Sequence, residues 1–517
     1  MKLKRNTLVS PNALSRMLED ANRAWQRKDF ERAIAGLERA SRLDPANCGV
    51  LRGLGQMYGL RYDYAAAERC FEKVVRIAPN KADMLLGVGK QSFDFGAYEL
   101  AERYLRRVIE QNNSSAEALV RLGEVYERVR RLDDAAAAAD RALTLNASSA
   151  PALLLRARLY RQAGQAGDAE RLLRSCLQVK PEPTLGAQAW CELGALLDRQ
   201  GAFDEAMNAF LAAKELLIPL AAPALLELQT IRERLQALRT GLSAELLHQW
   251  FDAAPGLAPT RRLVLLGGHP RSGTTLLEQV LDSHPDMVSL EETTVFYDDA
   301  YMPLTRGRPD NDSFLSVVQA ASPSALQHAR AGYFRTAEQF LRQPIGSRLL
   351  MDKNPSLTFL IPLLIRIFPE IKLLIALRDP RDVCLSCFMQ YMPLTQGSAA
   401  YLSLEATVED YTALMGMWTT IAPLIKNPFL EVRYEDMVEA LEPVARRTLD
   451  FLGISWDARV LGFDEHARQK VVRSPTYADV AKPIYKSAVG RWRNYQKHLE
   501  PYLQALAPFA QAFGYES

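Results

Sequence analysis

Small and apolar residues recur along the first half of the chain with a period of 34. Five alanines follow each other at this spacing, and a proline, asparagine or alanine stands twelve positions after each. The alanines are Ala33, Ala67, Ala101, Ala135 and Ala169, and the second series is Pro45, Pro79, Asn113, Ala147 and Pro181. A small residue lets two helices approach closely, and a proline or asparagine ends the second helix. Equal spacings of this length predict about six helix–turn–helix units over residues 11–217.

Apolar positions within single units fit the same helix–turn–helix template. The matching positions include Leu54, Gly55, Tyr58, Ala67, Phe71 and Pro79 in one unit, and Trp190, Gly194, Ala206 and Phe210 in the last. This pattern resembles the tetratricopeptide repeat. The resemblance implies an all-α solenoid whose concave groove binds a peptide or protein. The alternative is a purely structural role, in which the array supports the C-terminal half or forms a homodimer.

The periodic match ends near residue 217. Residues 218–259 continue as helical sequence rich in Leu, Ala and Arg, and they finish in AAPGLAPTRR, which runs on to Arg262. Pro, Gly and Ala in such a short stretch are typical of a linker. We therefore predict capping helices and a linker over residues 218–259.

Short apolar runs alternate with helix-period segments in the second half. The runs lie within Leu263–Leu266, Ser347–Pro355, Ile371–Asp382 and Asn427–Met437. This alternation predicts an α/β domain with a parallel sheet over residues 260–517. Ligands of such sheets bind at the carboxyl ends of the strands, where Arg271, Lys353, Arg378 and Arg381 stand in this sequence.

The segment Arg262–Glu292 combines a strand, a glycine turn and a helix start. Gly268 and Gly273 have the G-x-x-x-x-G spacing of a nucleotide P-loop, but Thr274 replaces its lysine. Backbone N–H groups and the helix dipole would form an anion cradle here. Without the lysine, a nucleotide triphosphatase or kinase with Mg²⁺ chemistry is disfavoured, and the cradle suits a 5′-phosphosulfate.

Composition narrows the possible partners and the compartment. The 517 residues include 48% hydrophobic and 24% charged residues, with a net charge of +2, which disfavours disorder and nucleic-acid binding. There is no apolar run of 18 residues and no apolar segment near the start, so we expect neither a membrane span nor a secretory signal. Six scattered cysteines indicate reduced thiols and a cytoplasmic protein. Cys384 and Cys387 form a CxxC that we assign to core packing.

Three ordered motifs resemble sulfotransferases that use 3′-phosphoadenosine 5′-phosphosulfate (PAPS). Pro270–Thr293 resembles their 5′-phosphosulfate loop, most closely that of protein-tyrosine sulfotransferases. Leu377–Phe388 resembles their 3′-phosphate-binding strand and helix, and Val432–Ile454 the strand and helix that follow. The resemblance covers about 230 residues, Arg262–Trp492. It implies PAPS as co-substrate, no metal, and transfer of a sulfonate to a hydroxyl, with a tyrosine of a polypeptide recruited by the repeats as acceptor. One alternative is an acceptor hydroxyl on a small molecule, a lipid or a glycan. Another is a repeat scaffold without catalytic activity.

The same resemblance implies roles for single residues. Glu292, 21 positions after Arg271, would be the general base, with Glu291 as the second choice. Lys353 would neutralise charge on the leaving phosphate, and Arg271 would contact the sulfonate or the 5′-phosphate. The residues expected to bind the cofactor are Arg271, Ser272, Gly273, Thr274, Thr275, Arg378, Ser386, Lys486, Ser487 and Arg491.

Two positions in these motifs have alternative interpretations. Arg381 either assists in phosphate binding or pairs with Asp379 or Asp382. Trp492 either stacks on the adenine or packs in the core, and we favour packing.

Overall fold

The computed structural model describes residues 11–257, 259, 261–309, 311–469, 482 and 484–516. They form two compact units. One comprises the described residues up to Leu155 together with Tyr297–Arg306 and Gly332–Gln343, and the other comprises the remainder. The predicted domain limits near residues 217 and 259 follow the sequence pattern, whereas these units follow packing, so those limits stay a prediction.

The predicted repeat helices are confirmed as consecutive pairs. They are α1 (Pro11–Gln26), α2 (Phe30–Leu43), α3 (Cys48–Leu60), α4 (Tyr64–Ile77), α5 (Lys81–Asp94), α6 (Tyr98–Gln111), α7 (Ala116–Arg128), α8 (Leu132–Leu145), α9 (Ala150–Gln162), α10 (Ala166–Gln178), α11 (Pro183–Arg199) and α12 (Phe203–Leu217). The small residues of the repeat act as anticipated: the periodic alanines from Ala33 to Ala169 are all fully buried. A Cβ added at Gly55 would lie 2.5 Å from the ring of Phe71. Close helix contact therefore requires small residues at these positions.

The turns inside the repeats also follow the 34-residue period, except that the last one comes after 37 residues. One residue in each of these turns has a positive φ: Lys28, Tyr62, Gly96, Arg130, Gly164 and Gly201. A left-handed residue lets the chain reverse sharply between the two helices of a pair, and glycine adopts it without strain. The side chains of Lys28 and Tyr62 make contacts within the same unit.

Two segments from the second half of the chain pack on the turns of the first repeats. Arg61 lies 2.5 Å from Asp299, and Lys28 lies 3.2 Å from Asp298. The ring of Tyr62 makes an edge contact with that of Phe340 at 5.1 Å between centroids. Tyr297–Arg306 and Gly332–Gln343 therefore complete the unit that contains the first repeats, which the sequence pattern does not indicate.

The second unit contains a parallel sheet, as predicted, and this sheet has five strands. Its strands are β1 (Leu263–Gly268), β2 (Met287–Ser289), β3 (Leu349–Lys353), β4 (Lys372–Leu377) and β5 (Phe429–Arg433), in the order β2-β3-β1-β4-β5. All four pairings are parallel, and Leu266 of β1 stands opposite Lys353 of β3. Three of the five strands lie within the predicted apolar runs, and β1 starts with its run and extends two residues beyond it, to Gly268. The edge strand β2 is three residues long and was not predicted.

Thirteen further α-helices follow the repeats in the described residues. They are α13 (Ala222–Thr240), α14 (Ala244–Asp252), α15 (Thr274–Asp282), α16 (Phe314–Gln319), α17 (Pro323–Leu341), α18 (Ile361–Ile367), α19 (Pro380–Met389), α20 (Leu404–Ile421), α21 (Tyr434–Glu439), α22 (Leu441–Leu452), α23 (Phe463–Gln469), α24 (Gln496–Leu499) and α25 (Leu503–Ala512). Leu277, Val280 and Leu281 of α15 pack with Leu266 of β1 and Leu449 of α22 in one buried cluster. This cluster fixes α15 against the sheet and so positions its N-terminus.

No single helix in the described part of the chain has the length and apolar character needed to cross a membrane, although one sharply bent pair, Phe203–Leu220 with Ala222–Thr240, meets these criteria jointly.

Candidate active site

A tight turn leads from the end of β1 into α15. Gly268 has a φ of 122°, and a Cβ there would lie 2.3 Å from the carbonyl oxygen of Ala376. Gly273 has a φ of 95° and is the N-cap of α15, and its missing Cβ would meet the ring of Tyr434 at 2.7 Å. Since both glycines are required by backbone angle and by space, the turn has one shape. It directs the N-terminus of α15 toward the carboxyl ends of the strands, as an anion cradle requires.

The backbone of the turn is braced by one hydroxyl of the turn itself and by one hydroxyl from the segment after β3. Ser272 donates its hydroxyl to the carbonyl of His269 at 2.7 Å, and the N–H of Gly268 donates to Thr358 Oγ1 at 2.8 Å. Ser272, Thr274 and Thr275 are all buried. The cradle is therefore formed mainly by backbone groups and the helix end, with the small polar residues supporting its shape.

Three of the predicted cofactor contacts meet beside the cradle. Arg271 has a φ of 72° and donates from Nε to Ser386 Oγ at 3.1 Å. Arg378 donates to the carbonyl oxygen of Arg271 at 3.1 Å and to that of Ala488 at 2.5 Å. The guanidinium of Arg378 thus also holds two chain segments together, a structural role that the sequence does not reveal.

The closing segment near Trp492 is tied to α19 by Asp382. Its carboxylate accepts from the N–H of Gly490 at 2.7 Å and from that of Trp492 at 2.8 Å, and burial raises its pKa. Arg381 forms a two-pronged ion pair with Asp379 at 2.9 and 2.8 Å and lies 4.1 Å over the ring of Trp492. In this structure Arg381 therefore pairs with Asp379, and Trp492 packs against the guanidinium of Arg381.

Two of the three remaining predicted cofactor contacts form ion pairs in this structure. Lys486 pairs with Glu439 at 2.5 Å, with both side chains more than half exposed. Arg491 pairs with Asp198 of α11 at 2.7 Å, and Ser487 is exposed. Binding of a nucleotide by these three residues stays a prediction.

Lys353 and Glu292, the predicted cation and base, are in direct contact. Lys353 is the last residue of β3, and its Nζ donates to Glu292 Oε1 at 2.7 Å. The lysine side chain is fully buried, whereas that of Glu292 is 37% exposed. Because β3 lies next to β1, Lys353 stands on the strand adjacent to the cradle, and Glu292 reaches it from the turn after β2.

The turn after β2 determines which of two neighbouring glutamates is accessible. The N–H of Leu290 donates to Met351 of β3 at 2.9 Å, and the amide of Asn354 donates to the carbonyl of Thr293 at 2.9 Å. Glu291 has a φ of 54° and is buried, whereas Glu292 is exposed. The geometry favours Glu292 over Glu291 as the group that meets an acceptor.

A second carboxylate reaches the same lysine from α15. Glu278 is fully buried, and its Oε2 lies 3.2 Å from Lys353 Nζ. Burial by itself lowers the pKa of Lys353, but Glu278 and Glu292 raise it above its ordinary value. The two carboxylates therefore favour the charged form of Lys353. Sequence reasoning missed Glu278 because one polar residue on a helix usually faces solvent; the only signal was its place on the apolar face with Leu277 and Leu281.

Comparisons with known proteins agree with the two predicted parts. Residues 264–458 match the family described as Sulfotransferase family, and residues 18–82, 89–150 and 154–218 match Tetratricopeptide repeat. The predicted organisation, a tetratricopeptide-repeat array followed by a sulfotransferase-family domain, is thereby confirmed.

Relatives are distant. An uncharacterized protein of Aquifex aeolicus is 26% identical over 48% of this chain and 32% of its own length, so the match spans about a third of that relative. Protein-tyrosine sulfotransferase 1 of Danio rerio is 26% identical over 55% of this chain and 81% of its own length. Among solved structures, the sulfotransferase domain from the Synechococcus PCC 7002 olefin synthase is 22% identical, covering 50% of this chain and 97% of that domain with a TM-score of 0.36.

Proposed function

We propose that this protein transfers a sulfonate group from PAPS to a hydroxyl acceptor, a tyrosine of a polypeptide held by the repeats. The observation that carries the proposal is the 2.7 Å contact between Glu292 Oε1 and Nζ of Lys353, which ends the strand next to the anion cradle. A buried cation and an accessible carboxylate beside an anion site are what sulfonate transfer needs.

The residues around the cradle fit PAPS. Two positive-φ glycines and the N-terminus of α15 suit the 5′-phosphosulfate, which Ser272–Thr275 and Arg271 would hold. Ser386 and Arg378, both adjoining Arg271, would hold the 3′-phosphate, since a guanidinium matches phosphate oxygens in a forked geometry. Bound there, PAPS would supply the sulfonate and the phosphate leaving group.

The two charged side chains divide the chemistry between them. The Glu292 carboxylate takes the proton of the acceptor hydroxyl while the acceptor oxygen bonds to sulfur. Lys353 stabilises the negative charge on the phosphate oxygen whose bond to sulfur breaks. Burial of Lys353 keeps its charge away from water and so strengthens this interaction.

A polypeptide acceptor is supported by the repeats and by the relatives. Tetratricopeptide arrays present extended surfaces suited to peptides. The Danio rerio relative is named for protein-tyrosine sulfation. A phenolic hydroxyl also suits a carboxylate base, because its pKa near 10 makes the proton easier to remove than that of an aliphatic alcohol.

Sulfonate transfer from labelled PAPS tests the proposal directly. The full chain would be offered tyrosine-containing acidic peptides, simple phenols and sugars. We expect label on the peptides and slower labelling of free phenols. Glu292→Ala should slow labelling by about 10³-fold, whereas Glu245→Ala, an exposed change in α14, should leave the rate unchanged. Label on sugars alone would contradict the tyrosine acceptor, and no label on any acceptor would contradict the activity.

A further inference from the structure

Glu278 is an uncommon residue to find at its position. It lies on α15, on the helix that forms the cradle, and both its side chain and that of Lys353 have no exposed surface. Bringing a carboxylate out of water carries a large desolvation penalty, which only close partners offset. A charge buried so completely next to the proposed reaction centre suggests a role in the chemistry.

The carboxylate of Glu278 contacts two elements of the site. One oxygen lies 3.2 Å from Lys353 Nζ, and the other accepts the hydroxyl of Ser289 at the end of β2. The Ser289 oxygen in turn accepts the N–H of Glu291 at 3.0 Å. One side chain therefore fixes both the lysine and the turn that presents Glu292.

The charges around Lys353 change during the proposed reaction. Before transfer, the ammonium faces Glu278 from α15 and Glu292 from the turn after β2. After transfer, Glu292 carries the acceptor proton and is neutral, so one carboxylate remains. Without Glu278 the fully buried ammonium would then depend on the leaving phosphate alone for its counter-charge, and a buried lysine short of counter-charge loses its proton more readily.

From this arrangement we infer that Glu278 is a positioning residue, which keeps Lys353 in place and cationic while Glu292 changes its charge. The inference rests on the proposed sulfonate transfer and deepens it. The bond changes are those already given: the acceptor proton passes to Glu292, and the electron pair of the broken bond stays on the phosphate oxygen. Glu278 itself neither gains nor loses a proton.

The pH dependence of transfer by Glu278→Gln separates this role from a merely structural one. Both carboxylates raise the pKa of Lys353, so removing one lowers it. We expect kcat to fall about tenfold or more and the alkaline limb of its pH profile to move down by about one pH unit. The KM for PAPS should change little, and Glu278→Asp should restore the alkaline limb. Glu127→Gln, at a buried glutamate of the repeats, is the matched control and should leave the profile unchanged.

The alternative outcomes are distinct. A Glu278→Gln protein with lowered thermal stability but an unmoved alkaline limb would overturn the inference and leave the sulfotransferase proposal intact. A wild-type chain without transfer activity would overturn both. If Glu278→Gln does not fold, Ser289→Ala, which removes the hydroxyl that orients Glu278, should move the same limb in the same direction by a smaller amount, and an unmoved limb in that variant would equally contradict the inference.

Discussion

The repeats and the region around the cradle bury very different side chains. Within the described residues 14–155, the buried polar or charged side chains are Ser92 and Glu127. The 35 residues from 262 to 296 bury ten: His269, Ser272, Thr274, Thr275, Glu278, Gln279, His284, Ser289, Glu291 and Thr293. The first region is held by the fit of small and apolar residues. The second region buries polar and charged groups where packing alone would favour apolar ones. The desolvation penalty of such groups is typical of functional sites.

Removing the charged groups of the candidate site should have the largest effect. We expect Glu292→Ala to slow sulfonate transfer by about 10³-fold, and Lys353→Ala to slow it by at least as much, because each removes a group needed in the transition state. Transfer of labelled sulfonate under saturating PAPS measures both. Circular dichroism should show that Glu292→Ala retains the fold, since its side chain is partly exposed. Full activity in either variant would exclude the assigned role.

A second buried charge predicts how stability depends on pH. His269 is fully buried, with Nε2 3.5 Å from Asp410 Oδ2 and Nδ1 3.8 Å from Cys387 Sγ, among the rings of Tyr401 and Tyr411. Burial lowers its pKa, but Asp410 and Cys387 raise it to about 10.

In the folded protein the pKa of His269 is above its ordinary value. The charged histidine therefore contributes its full stabilisation of the fold below about pH 6.5, and this contribution falls as the pH rises toward 10. The free energy of unfolding in urea should fall over this range by on the order of 4–5 kcal/mol. His269→Gln should remove most of that slope, and His328→Gln, at an exposed site on α17, should not. Equal slopes in the two variants would show that His269 is not the group responsible.

Glycines of the repeats test whether fit alone holds that region. A Cβ at Gly55 would lie 2.5 Å from the Phe71 ring, whereas one at Gly87 would meet nothing within 4 Å. We expect Gly55→Ala to lower the free energy of unfolding by about 1–3 kcal/mol through overpacking. Gly87→Ala should raise it by about 0.5–1 kcal/mol, because alanine is the better helix former. Thermal unfolding followed by circular dichroism compares the two. The reverse order would contradict the packing account.

Ion pairs in the first unit give the smallest expected effects. Asp299 is 12% exposed, and its carboxylate accepts from Arg61 at 2.5 Å and from Thr336 at 3.0 Å. Asp299→Asn should cost about 1–2 kcal/mol. The pair of Glu31 with Arg335 is 3.3 Å long and largely exposed, so Glu31→Gln should cost less than about 0.5 kcal/mol. Urea unfolding measures both, and equal losses would show that burial does not set their strength.

The difference between the repeats and the region around the cradle also explains which parts of the structure the sequence predicted. The repeat helices follow from a period of small residues such as Ala67 and Ala101, because each unit meets the same neighbours. Four strands followed from apolar runs. Strand β2 has three residues, too few for a periodic signal, and the sheet order depends on contacts between distant segments.

The residues of the candidate site also fall into those that the sequence predicted and those that it missed. Arg271, Ser386, Lys353 and Glu292 were predicted as site residues by motif, and the structure brings them together in two contacts. Glu278 was missed because its partners, Lys353 and Ser289, come from other strands. Lys486 was placed by local likeness alone, and its observed partner, Glu439, is 47 residues away.

Nucleotide binding tests the central claim most directly. Isothermal titration calorimetry of the full chain would compare 3′-phosphoadenosine 5′-phosphate with AMP, which lacks only the 3′-phosphate. We predict binding of the bisphosphate at least about 100-fold tighter, with Arg378→Ala and Ser386→Ala reducing that preference and leaving AMP binding nearly unchanged. Equal affinity for the two nucleotides would contradict a PAPS site at this cradle.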